Sequence, residues 1–321
     1  MKESDLLAHI QKRSANLAAA FGQVVVGPGD DCAVIRTPRG DEILLTVDHL
    51  VEGRHFEPGT PIDLIARKAV ARSVSDIAAM GGTPAWGLAT GCLPRGYAHA
   101  DELFEAMHKW ANHWGCPLVG GDISTSSGPM VLTVTVGGTM VDGAIARASE
   151  EERELAAWPH EYPRLPIPRS GACPGDALLT TGVLGGSLGS GHHLRFEPRV
   201  HEARRLHMLA GRDLHAMIDI SDGLGRDGAR LARASGVVLE IDASRLPLRE
   251  GVESWRHAVR DGEDYELLFL VAPSALGEVR RVDATRIGTA RAAAVGEQPG
   301  AWVNDPDGGR HDVGNWGWDH E

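Results

Sequence analysis

The stretch Gly27-Pro28-Gly29-Asp30-Asp31 constrains this chain more than any other. Two neighbouring carboxylates follow a glycine turn and lead into the apolar run Ala33-Val34-Ile35. Adjacent like charges repel, and in a strand they leave on opposite faces. The pair therefore suits the neighbourhood of a cation better than an ordinary core. Three further stretches share its look: Thr46-Val47-Asp48, Gly120-Gly121-Asp122 and Asp219-Ile220-Ser221-Asp222. Read together, they point to acid-tipped strands converging on Mg²⁺ and a polyphosphate.

At 321 residues the chain accommodates two domains. Its 40 glycines follow no collagen-like period, which implies tight turns and close backbone approaches of the kind phosphates need. A net charge of −12 argues against general nucleic-acid binding. It leaves anionic substrates open, because a bound cation inverts the local field. Cys32, Cys92, Cys116 and Cys173 show no CxxC pairing, so reduced thiols are expected rather than zinc or a disulfide framework. No signal-type apolar segment and no apolar run of about 18 residues occurs, so the expectation is a cytoplasmic protein without a membrane partner.

Along the chain, Ser4 is placed to cap a first helix with Leu6, Leu7, Ile10 and Leu17 roughly on one face. Cys32 to Arg36 and Glu42 to Val47 read as a hairpin across Pro38-Arg39-Gly40, which puts Asp31 and Asp48 at one end of paired strands. Thr60-Pro61-Ile62-Asp63 reads as a helix start, with Thr60 as cap, Pro61 at the first helical position and Asp63 in the first turn. That helix is expected to reach Met80, ending at Gly81-Gly82. Asp76 falls near its inward face and reads either as a paired acid or as a solvated helix-end acid. Pro117-Leu118-Val119 is expected to deliver Gly120-Gly121-Asp122 from a strand end, either as a phosphate-approaching turn or as a plain glycine turn. Glu150-Glu151-Glu152 and four prolines from Pro159 to Pro168 mark a connection. The expected division is a domain over 1–148, a connection over 149–168 and a second domain over 169–321. Strands and helices alternate in both, giving an α/β (α+β) class without a close internal repeat.

Phosphoryl transfer from ATP needs divalent cations on the phosphate oxygens and groups that align donor with acceptor. Asp31, Asp48, Asp76, Asp122, Asp219 and Asp222 supply the oxygen ligands that Mg²⁺ prefers, and Arg169 supplies a permanent cation for phosphate. The chain has neither a Walker-A run nor the HRD and DFG set of protein kinases. His55 follows the acidic segment, while His192-His193 reads as a solvated pair at a glycine loop. Glu263-Asp264 reads as a polar strand entrance. Trp316 and Trp318 are set either to close a core or to stack on a ligand.

The motifs Gly29-Asp30-Asp31-Cys32-Ala33-Val34, Asp48 to Phe56 and Ser75-Asp76-Ile77-Ala78-Ala79-Met80-Gly81 resemble those of the thiamine-monophosphate kinase family. So do Gly120-Gly121-Asp122, Arg169-Ser170-Gly171-Ala172, Asp219 to Leu224 and Gly262-Glu263-Asp264-Tyr265-Glu266-Leu267. The resemblance implies the two-domain fold of aminoimidazole ribonucleotide synthetase, with N-terminal strands pairing across a homodimer. It also implies ATP- and Mg²⁺-dependent phosphorylation of thiamine monophosphate to thiamine diphosphate. By matching position, Asp31, Thr46, Asp48, Asp76, Asp122, Asp219 and Asp222 serve several metal ions. Gly121, Asp122, Arg169 and Ser221 contact ATP, and His55, Glu263 and Trp318 meet the thiamine substrate. Asp30 stands behind Asp31 as support. No general base is required, because the acceptor phosphate already carries nucleophilic oxygens.

The pattern is broken in places. Val47 stands where the family commonly has threonine, so a ligand there must be the backbone carbonyl. Ile123 to Gly128 reads as a loop longer than the family's turn, the connection before Pro168 is extended, and Asp261 replaces a glycine. Two other readings remain beside the kinase: a sister ATP-dependent enzyme of the same fold acting on another metabolite, or a nucleotide-binding regulator without turnover. The altered loop is the regulator's only support.

Overall fold

The computed structural model describes residues 3–140 and 165–318. Most of the expected connection, including Glu150-Glu151-Glu152, Pro159 and Pro163, lies outside the described residues. The first half opens with α1 (Glu3–Ser14) and the short α2 (Leu17–Ala20). A six-stranded sheet follows, in the order β1-β2-β3-β6-β4-β5. Its strands are β1 (Val24–Val26), β2 (Ala33–Arg36), β3 (Glu42–Val51), β4 (Thr83–Pro94), β5 (Leu118–Ser126) and β6 (Val131–Thr139). The expected hairpin is present, with Ala33 opposite Leu45 and Arg36 opposite Glu42.

Two helices, α3 (Ile62–Ala79) and α4 (Ala100–His113), cover one face of this sheet. Residues alternate along β3, so Leu44, Thr46 and Leu50 turn inward while Leu45 and Val47 stay exposed. Ile65, Ala69, Val70, Val74 and Ile77 form the inner stripe of α3 and pack on Leu44, Leu132, Val134 and Val136. The outer face of the sheet has no covering layer among the described residues.

The start of α3 differs from expectation. Pro61 occupies the cap position and makes no side-chain cap, while the Thr60 hydroxyl turns back to the Glu57 carbonyl at 2.7 Å. The helix ends where the glycines allow it: Gly81 takes φ 72°, and Gly82 N–H returns to the Ile77 carbonyl at 3.0 Å. The expected inward face of α1 is also corrected, since Leu6, Leu7 and Ile10 are exposed.

The second half builds a seven-stranded sheet ordered β13-β12-β9-β11-β7-β10-β8. Its strands are β7 (Ala177–Thr181), β8 (Leu214–Asp219), β9 (Val237–Asp242), β10 (Leu267–Val271), β11 (Ala284–Ala292), β12 (Gly300–Asn304) and β13 (Arg310–Asp312). Helix Leu224–Ser235 packs on one face, and helix Val200–Ala210 lies against the other with the end of α3. Ala78 and Ala79 of α3 share a core cluster with Ile167, Met217, Leu267 and Phe269. That shared cluster fixes the acid-bearing end of α3 against the tip of β8.

Candidate active site

The seam between the two sheets gathers three carboxylates from three elements. Asp31 enters β2, Asp76 sits in the last turn of α3 and Asp219 ends β8, and one oxygen of each lies within 4.8 Å of the others. Around them the small polar side chains are committed. The Thr46 hydroxyl donates to Asp76, and Ser75 Oγ donates to Asp219 Oδ2 at 2.5 Å. Burial and the nearby charges of Asp48, Asp219 and Asp31 push the Asp76 pKa well up. Burial and Asp31 do the same to Asp219. Crowded carboxylate oxygens of this kind are hard ligands, and the set fits Mg²⁺.

Arg169 closes the cluster from the second half. Its Nη2 meets Asp31 Oδ1 at 2.6 Å and its Nε meets Oδ2 at 3.1 Å, while its backbone N–H donates to Asp30 Oδ2 at 3.1 Å. Asp30 also accepts the Asp31 N–H at 3.0 Å, and burial beside Asp31 raises its pKa to about 6. Asp31, not Asp30, therefore faces the other two acids.

A second group surrounds a small cavity of about 60 Å³ lined by Arg54, His55, Arg72, Ser221, Glu263 and Trp318, among others. It shares Leu188 and Trp318 with an open cavity of about 720 Å³ that also meets Arg256, Arg260 and Trp316. Val51 N–H donates to His55 Nδ1 at 2.9 Å, which leaves the neutral ring's proton on Nε2. Lys68 is wholly buried; it pairs with Glu263 and donates to the His55 carbonyl at 2.7 Å. Glu263 and Tyr265 take φ of 55° and 51°, a region costly for non-glycine residues. Strong partners hold the loop there. Asp264 accepts Gly185 N–H at 3.0 Å, Glu266 takes a two-point contact from Arg199, and Tyr265 stacks on Phe196 at 3.8 Å. Glu263-Asp264 is thus a folded corner rather than a simple strand entrance. Trp318 is half exposed, with its indole N–H on the Asp261 carbonyl at 2.6 Å, whereas Trp316 stacks on Trp255 and closes a core.

Other expectations are corrected. His192 and His193 are not merely solvated: each bonds a backbone carbonyl at 3.1 Å, and burial lowers the pKa of both, His192 to about 4. Gly120-Gly121-Asp122 lies within β5, not at a strand end, and Ile123 to Ser126 continues that strand instead of forming a loop. The carboxylate of Asp222 lies 2.6 Å from Arg230 and lines the small cavity, outside the acid trio. Asp48 turns to Arg72 Nη2 at 3.1 Å. Asp122 stands farthest off. It pairs with Thr90, then Thr133, then His49, so three strand spacings, about 14 Å, separate it from the Asp48 strand.

Sequence reasoning missed several participants. Asp227 collects the N–H groups of Ser221, Asp222 and Gly223 at 2.9–3.1 Å and so shapes the loop after β8. Phe104 and His108 line a third cavity, about 590 Å³, with Gly121 and Asp122. Cys173, Asp176 and His215 also converge, but Asp176 Oδ2 is already occupied by Cys173 N–H at 2.6 Å and His215 Nδ1 at 2.8 Å.

Known proteins resemble this chain in sequence and in fold. Residues 29–140 match the AIR synthase related protein N-terminal domain, and residues 174–297 the corresponding C-terminal domain. Thiamine-monophosphate kinase of Rhodopirellula baltica is 35% identical over 309 residues, covering 89% of this chain and 88% of that protein. The Bacillus subtilis thiamine-monophosphate kinase is 30% identical over 302 residues, covering 85% and 84%. Among solved structures, AaThiL complexed with AMPPCP and TMP is similar over 97% of each chain, at 26% identity and a TM-score of 0.75. Two family domains in order, and relatives of one activity spanning most of both chains, mean that this chain belongs to the thiamine-monophosphate kinase family.

Proposed function

We propose that this protein transfers the γ-phosphoryl group of ATP onto the phosphate of thiamine monophosphate, giving thiamine diphosphate and ADP. The observation that carries the reading is the adjacency of two groups: a trio of acids at the inter-sheet seam, of which Asp31 and Asp219 are buried, and a cavity that unites His55, Glu263 and Trp318. Family membership supplies the substrate class.

Asp31, Asp76 and Asp219, with Thr46 and Asp48 beside them, would hold Mg²⁺, and Asp222 and Asp122 extend the set. Bound Mg²⁺ supplies charge neutralisation and alignment of phosphate oxygens. Gly121, Asp122, Arg169 and Ser221 contact ATP in this reading, and Phe104 offers a ring face for the base. His55 and Glu263 orient the acceptor, held in place by Lys68, while Trp318 stacks on the heteroaromatic part at the cavity mouth. The acceptor oxygens are already nucleophilic, so positioning and charge carry the rate.

Residues 1–148 form the ATP, metal and dimer domain in this reading, and 169–321 the second domain. A homodimer accounts for the uncovered sheet face. Of β3, Glu42–Leu45 pairs with β2, so Thr46–Leu50 presents an open edge among the described residues, and β5 presents another. Val47 and Val119 are 60% and 67% exposed there. Joining the two edges across a two-fold axis buries these side chains and carries Asp122 of the partner subunit toward Asp48. No helix among the described residues is long and apolar enough to cross a membrane; in this reading the ATP-dependent reaction is cytoplasmic.

The test is conversion of thiamine monophosphate to thiamine diphosphate with ATP, with and without Mg²⁺. Mg²⁺-dependent product bears the proposal out. Folded, ATP-binding protein that makes none defeats it.

A further inference from the structure

We propose that Arg72 is the anchor for the phosphate of the accepting substrate. The inference rests on the kinase reading above and assigns a residue to it. Arg72 lies in α3 one turn before Asp76 and lines the small cavity with Arg54, His55, Ser221, Glu263 and Trp318. Among the described residues only Nη2 is engaged, with Asp48 Oδ1 at 3.1 Å; Nε and Nη1 are buried and have no hydrogen-bond partner there. A guanidinium cannot shed its charge. Two buried donors without acceptors are costly, and in native structures such groups are completed by ordered water, an ion or a ligand, or serve a catalytic role.

The space beside Arg72 fits one kind of ligand group. A cavity of about 60 Å³ holds a few waters or one phosphoryl group, not a thiazole or pyrimidine ring. The rings belong in the larger cavity beyond Leu188 and Trp318. A tetrahedral dianion in the small cavity would give Arg72 the acceptors it lacks, in charge-assisted bonds. The same placement sets the phosphate next to Asp48 and the acid trio, where transfer must occur. Arg72 therefore distinguishes the phosphorylated substrate from its dephosphorylated form.

Calorimetric titration of the full chain with thiamine monophosphate and with thiamine, without ATP, tests this. Wild type should bind the monophosphate at least tenfold more tightly than thiamine. Arg72→Met should lose that preference while its affinity for thiamine and its KM for ATP stay within about twofold. Arg72→Lys, which keeps the charge, should retain part of the preference and covers a failure of Arg72→Met to fold. A folded variant with an undiminished preference overturns the role of Arg72, as does an equal loss for both ligands. Wild type that binds neither ligand overturns the kinase reading itself.

Discussion

Arg169 reaches across the seam to grip both oxygens of Asp31, at 2.6 and 3.1 Å. The Asp31 side chain is fully buried and the Arg169 side chain only 18% exposed. The contact thus ties the second half of the chain to the acid trio and offsets one of its charges. Arg169→Met should destabilise the protein by about 3–5 kcal/mol, because a buried carboxylate is left unpaired. Arg169→Lys should recover part of this and lack the two-point geometry. Urea unfolding of the three proteins measures the order; equal midpoints would remove the structural role of the pair.

The acid cluster has a signature in pH. Burial raises the pKa of Asp76 and Asp219, and that of Asp264 to about 7. An acid whose pKa is higher folded than unfolded stabilises fully below its unfolded value, and this stability is lost as pH rises through the folded value. Below about pH 6.5 the lowered His192 and His207, both near 4, act in the opposite sense. Above about 8 the lowered Lys68 does likewise. Between these limits the carboxylates dominate. In EDTA the thermal midpoint should fall as pH rises from about 6.5 to 8, and Mg²⁺ should reduce the fall by stabilising the ionised trio. Scanning calorimetry at both ends of the window decides it: a midpoint indifferent to Mg²⁺ near pH 8 speaks against metal at this cluster.

Gly121 shows a different constraint. A Cβ there would sit 1.8 Å from the Ala89 carbonyl oxygen in the neighbouring strand. Gly121→Ala must push β5 off β4, at a cost of about 1–3 kcal/mol. Because the same residue lines the cavity with Phe104, ATP affinity should fall with it. Calorimetric ATP binding and a urea midpoint that both match wild type would refute the close approach.

Much of this was legible in the sequence because backbone and charge rules are local. The β2–β3 hairpin follows from alternation around Pro38-Arg39-Gly40, and Gly81-Gly82 ends α3 where expected. Asp31 after a glycine turn, Asp76 near an inward helix face and Asp219 at a strand tip each stand out in the sequence, and they converge. What could not be read is long-range. Glycines in Gly120-Gly121-Asp122 look like a turn, yet the parallel partner β4 extends them into a strand. Lys68 looks like a helix-surface residue until Glu263, from the other half, covers it. Arg72 gave no local signal, since its role depends on a cavity built from both halves.

The separation of Asp48 and Asp122 within one chain leads to the last prediction. Asp122→Asn should lower turnover at least tenfold, about 1.4 kcal/mol or more in the barrier, with the fold intact. Asp48→Asn should do the same. If each site takes Asp48 from one subunit and Asp122 from the other, a mixed dimer of the two variants contains one site with both acids and one with neither. Co-refolded or co-expressed in equal amounts, the variants should recover about a quarter of wild-type activity, since half of the dimers are mixed and half of their sites are whole. Activity no higher than that of either variant alone would mean that the two acids act in the same chain or that the subunits do not pair through these edges. Size-exclusion chromatography of the mixture separates those two causes: a monomer defeats the pairing, and an inactive mixed dimer defeats the sharing of the site.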